Sequence, residues 1–221
     1  MMIKTLMQAR HSTRAFLDKP VATADIEDLL DTARLAPSGA NTQPWQVAVL
    51  TGDAKLQLAE AIQQAFLSGA ASHPDYNYYP TEWQTPYTER RRACGLQLYQ
   101  SLQITRGDKA AQKAQWAENY RAFDAPVMLL FFIDGTMQTG SYLDLGLFLQ
   151  TLMLAATEKG LATCPQAALA EYPDIVKTQL GYPTDCQLVC GLALGYEDTA
   201  AAVNQYRTDR IMVSEFTRFF S

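Results

Sequence analysis

Four short stretches of the chain combine residue types that could do chemistry. Arg10-His11-Ser12-Thr13-Arg14 places two guanidiniums and two hydroxyls where a helix gives way to a turn. Guanidinium forks and hydroxyls match phosphate oxygens, and each shielded charge-assisted bond contributes roughly 1.5–3 kcal/mol. The same residues also read as a solvated basic helix end, where arginine suits the helix dipole. In Pro37-Ser38-Gly39-Ala40-Asn41-Thr42-Gln43-Pro44-Trp45, small residues allow close approach to the backbone, and Asn41 and Gln43 offer amides to a heteroaromatic edge. Gly160-Leu161-Ala162-Thr163-Cys164-Pro165-Gln166-Ala167-Ala168 leaves backbone amides after Pro165 free to face a ligand; Cys164 has no evident histidine partner and reads as a small core residue. Asn204-Gln205-Tyr206-Arg207-Thr208-Asp209-Arg210 is by itself a surface charge group, and it gains meaning only if the tail returns to Arg10–Arg14.

Several chemistries are disfavoured by what is missing. Only His11 and His73 occur, far apart, so neither a histidine-rich metal site nor a serine–histidine triad is expected. No phosphate loop and no GxGxxG fingerprint is present, so redox chemistry would need another cofactor geometry. A net charge of -5 argues against nucleic acid while allowing a local basic pocket. The four cysteines form no CxxC pair, the first residues lack a signal-peptide pattern, and the apolar run 127–133 is too short to span a bilayer. A cytoplasmic protein without a membrane partner is the expectation.

The elements that must hold these stretches follow from periodicity. A chain of 221 residues, 48% hydrophobic, can bury one sizeable core, so 1–221 is read as a single domain. Helices are expected from about Ile3 to Ala9, from a Thr23 N-cap until Pro37 intervenes, and from an Asp53 cap to Ser68 before Gly69. Gln46–Thr51, Val127–Ile133, a segment around Thr163 and Cys186–Leu194 read as strands. Residues 89–123 read as helical with a break near Gly107, where Asp108 restarts the helix, and 172–180 as a small helix. The helix expected from Ser141 to Lys159 is apolar around most of its circumference and so belongs in a core or a subunit interface. Residues 70–106 form an excursion, irregular to residue 88 and rich in proline and aromatic residues. The polar tail ends in Phe216, Phe219 and Phe220, the mark of a docked segment.

Taken in order and register, the four stretches resemble the FMN-dependent nitroreductase family. Arg10-x-Ser12-x-Arg14, Pro37-Ser38-Gly39-x-Asn41-x-Gln43-Pro44-Trp45, Gly160-Leu161-x-Thr163-Cys164-Pro165-Gln166 and Arg207-Thr208-x-Arg210 with Glu215-Phe216 are similar to that family's motifs, from about Thr5 to Phe220. Alternation of strands and helices alone suggests α/β. The resemblance instead implies an α+β sandwich, a mixed sheet flanked by helices, with a C-terminal arm on the partner of a homodimer.

The resemblance also implies roles. Arg10, Ser12 and Arg210 would hold an FMN phosphate and Arg14 the N1/O2 edge of the ring. Pro37, Ser38 and Asn41 would reach the flavin from the other subunit. Pro165, Gln166, Ala167 and Ala168 would line the ring, with the Ala167 amide near N5; His11 is counted with the cofactor-contacting residues. The implied reaction passes a hydride from NADH or NADPH to a nitroaromatic or quinone in two half-reactions, with no catalytic acid or base and no metal. Tyr76, Tyr78, Tyr79, Trp83 and Tyr87 could shape an aromatic substrate site and Arg90–Arg92 an acidic one, or they pack the excursion and are solvated. Other branches of the fold remain as alternatives: an iodotyrosine-type dehalogenase, whose Glu-x-x-x-Tyr pair neither Glu82 nor Glu89 provides; a flavin-fragmenting enzyme; and an FMN storage protein.

Overall fold

Val127–Ile133 contains no polar side chain, and a strand of that composition is stable only if both faces are covered. In the computed structural model, which describes residues 2–221, all seven of its residues are buried. This strand, β2, pairs antiparallel with β1 (Gln46–Thr51) on one side and β4 (Gln187–Gly195) on the other, and β3 (Ala162–Gln166) closes the order β1-β2-β4-β3. Successive β2 side chains feed opposite cores. Met128, Leu130 and Phe132 pack with Leu58 and Ile62 of α3 (Gly52–Ser68) and Val176 of α7 (Pro173–Leu180). Val127, Leu129 and Phe131 pack with Leu29 of α2 (Thr23–Ala33) and Leu145, Phe148 and Leu152 of α6 (Thr139–Glu158).

The strands are antiparallel throughout, so the expected mixed sheet needs correcting. Among the described residues, parallel pairing is confined to an isolated bridge between Ser12 and Thr163. Helix α6 carries the chain from β2 to β3, which runs the same way as β2 but is separated from it by the antiparallel β4.

Helix ends mostly follow local chemistry. Gly69 and Gly160, at φ 79° and 74°, stop α3 and α6 in the left-handed region that glycine adopts without strain. Asp108 caps α5 (Lys109–Ala117) by accepting from the Ala111 amide at 2.9 Å. Thr23 and Asp53 are not caps: each lies in its helix's first turn, behind Ala22 and Thr51 respectively. The helix expected over 89–123 is α4 (Tyr87–Ser101) and α5, followed by a 3-10 segment over Glu118–Asp124. Pro126 forces Ala125 into extended backbone, and Ala122–Asp124 reverse the chain at positive φ instead of continuing a helix.

Candidate active site

Helix α1 (Ile3–Ala9) ends where Arg10 turns extended, at ψ 126°. From there the chain is sewn between β3 and the segment after β4. Thr13 N–H donates to the Thr163 carbonyl at 3.0 Å, and Leu17 N–H to the Tyr196 carbonyl at 2.8 Å. Asn204, 2% exposed, fastens this strip to the tail. Its Oδ1 accepts from Arg14 N–H at 2.8 Å, and its Nδ2 donates to the Ala15 and Asp198 carbonyls, both at 2.9 Å. A buried amide with both ends satisfied fixes two chain segments remote in sequence.

The result is a cavity of about 320 Å³ into which Arg10, Ser12, Arg14, Arg207, Thr208 and Arg210 converge, with Tyr206 and Cys94 in its wall. Four guanidiniums line it and, among the described residues, no carboxylate does. Burial first and then the Arg210 guanidinium push Arg10 below its ordinary value, with Cys164 opposing. Unneutralised like charges held together are a cost to the fold that an anion would relieve. Arg14 is fixed within the cavity: its Nη1 donates to the Tyr206 hydroxyl at 3.1 Å and to the Ser12 carbonyl at 3.3 Å. Cys164 lies behind these groups; burial raises its thiol, and Arg14, Ser12 and Arg10 oppose that rise. It is the core residue its neighbours suggested.

His11 also lines the cavity, but its ring is engaged elsewhere: Nε2 lies 2.9 Å from a Glu197 carboxylate oxygen and Nδ1 3.1 Å from the Ala9 carbonyl. That leaves the ring to hold the backbone on which Arg10 and Ser12 sit. Pro165 is exposed and Ala167 half-buried, so both face outward from the edge strand. Ala167 opens the 3-10 turn Ala167–Ala170, a position whose N–H has no acceptor inside the turn. Ala168 is buried, and so is Gln166, which turns inward: its Nε2 donates to the Asn119 carbonyl at 2.8 Å. The Nε2 end of Gln166 is thus committed to the fold, while its Oε1 is buried without a partner.

Pro37, Ser38 and Asn41 do not join the cavity within one chain. Their loop is held by the Ser38 hydroxyl, which accepts from Gln43 N–H at 2.9 Å, and by Asp144 near the start of α6, which accepts from Gly39 N–H at 3.1 Å. Arg10 instead adjoins Thr157, at the other end of α6. Asp144 and Thr157 are separated by about 20 Å of helix.

The excursion over 70–106 is rooted at the far end of β4. A register shift there leaves Val189 without a partner opposite Phe131 and Phe132. Tyr76 donates to the Val189 carbonyl at 2.7 Å, and Asp75 accepts from Leu188 N–H at 2.7 Å and pairs with Lys177 at 2.7 Å. Tyr76 is thus packed into the fold instead of lining a substrate site, and burial raises its phenol above the ordinary value, with Cys190 adding to it. Sequence reasoning missed Asn204, Tyr206 and Asp75 as organising residues. A short polar residue inside a loop gives no sign of which distant backbone groups it will satisfy.

The family model described as "Nitroreductase family" matches residues 7–196. A 4-nitrobenzoate reductase of Pseudomonas putida is 40% identical over 97% of this chain and 93% of its own length. A chloronitrobenzene nitroreductase of Comamonas testosteroni is 36% identical, over 98% and 96%. The crystal structure of the FMN and NADPH-dependent nitroreductase NfnB from Sphigopyxis sp. strain HMH superposes with a TM-score of 0.97 at 37% identity, covering 100% of both chains.

Proposed function

The chain belongs to the nitroreductase family, and on that premise we propose that it is an FMN-dependent, NADPH-consuming reductase of nitroaromatic compounds that works as a homodimer. The observation that carries the reading is the convergence of Arg10, Ser12, Arg14 and Arg210 on one cavity without a carboxylate. That donor set fits the phosphate of FMN, and the mutual repulsion of Arg10 and Arg210 is what a doubly charged anion would offset. Arg10, Ser12 and Arg210 hold the phosphate. Arg14, locked by Tyr206, is set for the electron-rich edge of the ring, where a preorganised cation requires no reorganisation during reaction. The Ala167 amide supplies a donor that depends on no side chain, which is why alanine suffices there.

When bound, FMN supplies the two-electron chemistry that links NADPH oxidation to reduction of the nitro group. The protein binds, orients and tunes; no side chain is assigned proton transfer. A quinone is an alternative acceptor for the same site.

Three observations support the homodimer. The accessible surface is 13095 Å², against about 10,000 Å² expected for a compact monomer of this mass. Leu143 of α6 is 69% exposed, and Phe219 and Phe220 of the tail are each 90% exposed. Such apolar area on a single chain calls for a partner surface. In addition, the Pro37–Asn41 loop lies too far along α6 to serve its own arginine cavity, so its proposed role requires a second copy. The four cysteines are unpaired, in keeping with a cytosolic location.

Steady-state oxidation of NADPH by the FMN-loaded protein, with nitrobenzene or 4-nitrobenzoate as acceptor, tests the activity. Turnover on the order of 1–10 s⁻¹ is expected. A fully flavin-loaded protein that turns over neither acceptor would instead be a flavin carrier. Sedimentation tests the assembly: the native protein runs as a dimer, and the pair Leu143→Asp and Leu147→Asp gives a monomer that loses FMN. A stable monomer that keeps its flavin would contradict the shared site.

A further inference from the structure

Rings of the excursion form a continuous series. Tyr142 of α6 meets Tyr76 at 4.8 Å between centroids, Tyr76 meets Tyr78 at 6.3 Å, Tyr78 meets Tyr79 at 4.6 Å, and Tyr79 meets Trp83 at 5.5 Å. The series ends on a cation: the Arg91 guanidinium carbon lies 5.1 Å above the Trp83 ring. Tyr78 and Tyr79 are 59% and 52% exposed, so the wall offers faces on which a flat aromatic molecule can stack.

Helix geometry connects this wall to the arginine cavity. Arg91 precedes Cys94 by three residues, which places both on one face of α4, about one turn apart. Cys94 is in the wall of the cavity that holds Arg14 and Tyr206. A ring stacked on Tyr79 and Trp83 therefore lies beside the Arg91 guanidinium, about one helix turn from the wall of the proposed flavin site.

That guanidinium is uncommitted. Among the described residues, none of Arg90, Arg91 and Arg92 lies within ion-pair distance of a carboxylate. Of the acids in this region, Glu89 accepts from the Thr85 hydroxyl at 2.8 Å, and Glu171 from the Tyr120 hydroxyl. In a chain of net charge -5, three adjacent cations left without an acid are disposed to receive a soluble anion. Arg91 is the one set over the ring wall; Arg90 lies 5.7 Å from the Tyr87 ring instead.

Resting on the reading of the chain as a nitroaromatic reductase, we propose that Arg91 on the Tyr79–Trp83 wall selects nitroaromatic substrates that carry a carboxylate. The ring wall binds the arene and Arg91 binds the carboxylate.

The test compares 4-nitrobenzoate with nitrobenzene in the FMN-loaded enzyme, as wild type, Arg91→Gln and Arg91→Lys, with both NADPH and NADH as donors. In Arg91→Gln, kcat/KM for 4-nitrobenzoate falls about tenfold further than kcat/KM for nitrobenzene, mainly through KM. Arg91→Lys regains part of the difference, because it restores the charge without the planar fork. An unchanged ratio of the two substrates overturns the proposal. So does a loss confined to KM for NADPH relative to NADH, which would assign the anion site to the donor's phosphate. If the wild type reduces neither nitroarene, the broader function fails first. Calorimetric titration of benzoate then decides the site: binding that weakens in Arg91→Gln supports it, and no binding overturns it.

Discussion

Arg210→Ala purifies as folded but largely colourless protein, with FMN affinity reduced about 10- to 100-fold. The expectation follows from how Arg210 is held. Its Nη1 donates to the Thr208 carbonyl and hydroxyl, both at 2.9 Å, and to the Asp209 carbonyl at 3.0 Å, so the loop's own backbone aims it. It is exposed and supports no packing. Removing it also relieves the repulsion on Arg10, so the flavin-free fold should keep its denaturation midpoint or gain slightly. Loss of ligand without loss of stability separates a binding residue from a structural one. Arg10→Ala should lose flavin too, but with some stability, because its guanidinium is half-buried. The ratio of visible flavin absorbance to protein absorbance, with a titration of FMN into stripped protein, checks both. A fully yellow Arg210→Ala with unchanged affinity removes Arg210 from the phosphate site.

The arginine cavity was legible in the sequence because its members carry their chemistry in their own type and spacing. Arg10, Ser12 and Arg14 alternate, and an extended strip projects alternate residues to the same side. The elements whose signal is local also came through: β1 over Gln46–Thr51, α1 over Ile3–Ala9, and the buried β2. Strand direction did not, because the composition of β2 states that both faces are covered and nothing about which way its neighbours run. Gln166 shows the same limit at residue scale. It stands in a motif read as ligand-facing, yet alternation along β3 turns its side chain inward to Asn119 and leaves Pro165 and Ala167 outside. Tyr76 was grouped with its aromatic neighbours by composition, and only the unpaired Val189 carbonyl explains why it is spent on the fold. Satisfaction of one distant backbone group decided the cases of Gln166 and Tyr76, and no window of sequence contains both partners.

That principle gives the largest expected change in stability. Asp75→Ala should destabilise the protein by about 3–5 kcal/mol, while leaving its flavin in place. Lys177 is 3% exposed, and its ammonium has two partners, the Asp75 carboxylate at 2.7 Å and the Thr184 carbonyl at 3.1 Å. Removing the carboxylate strands a buried charge and also leaves the Leu188 amide without its acceptor. The double variant Asp75→Ala with Lys177→Met should recover a large part of the loss, because an apolar pair tolerates burial that a lone cation does not. Flavin should survive in both. Leu188 is near the start of β4 and the arginine cavity lies beyond its end at Gly195, about 24 Å along the strand. What should suffer with the root of the excursion is the ring wall above it, seen as a raised KM for nitroarenes. Urea denaturation, flavin content and steady-state kinetics on the two variants check the three parts. A midpoint shift worth less than about 0.5 kcal/mol would show that the pair is not the anchor. Flavin loss in step with stability would show that the two ends of β4 are not independent.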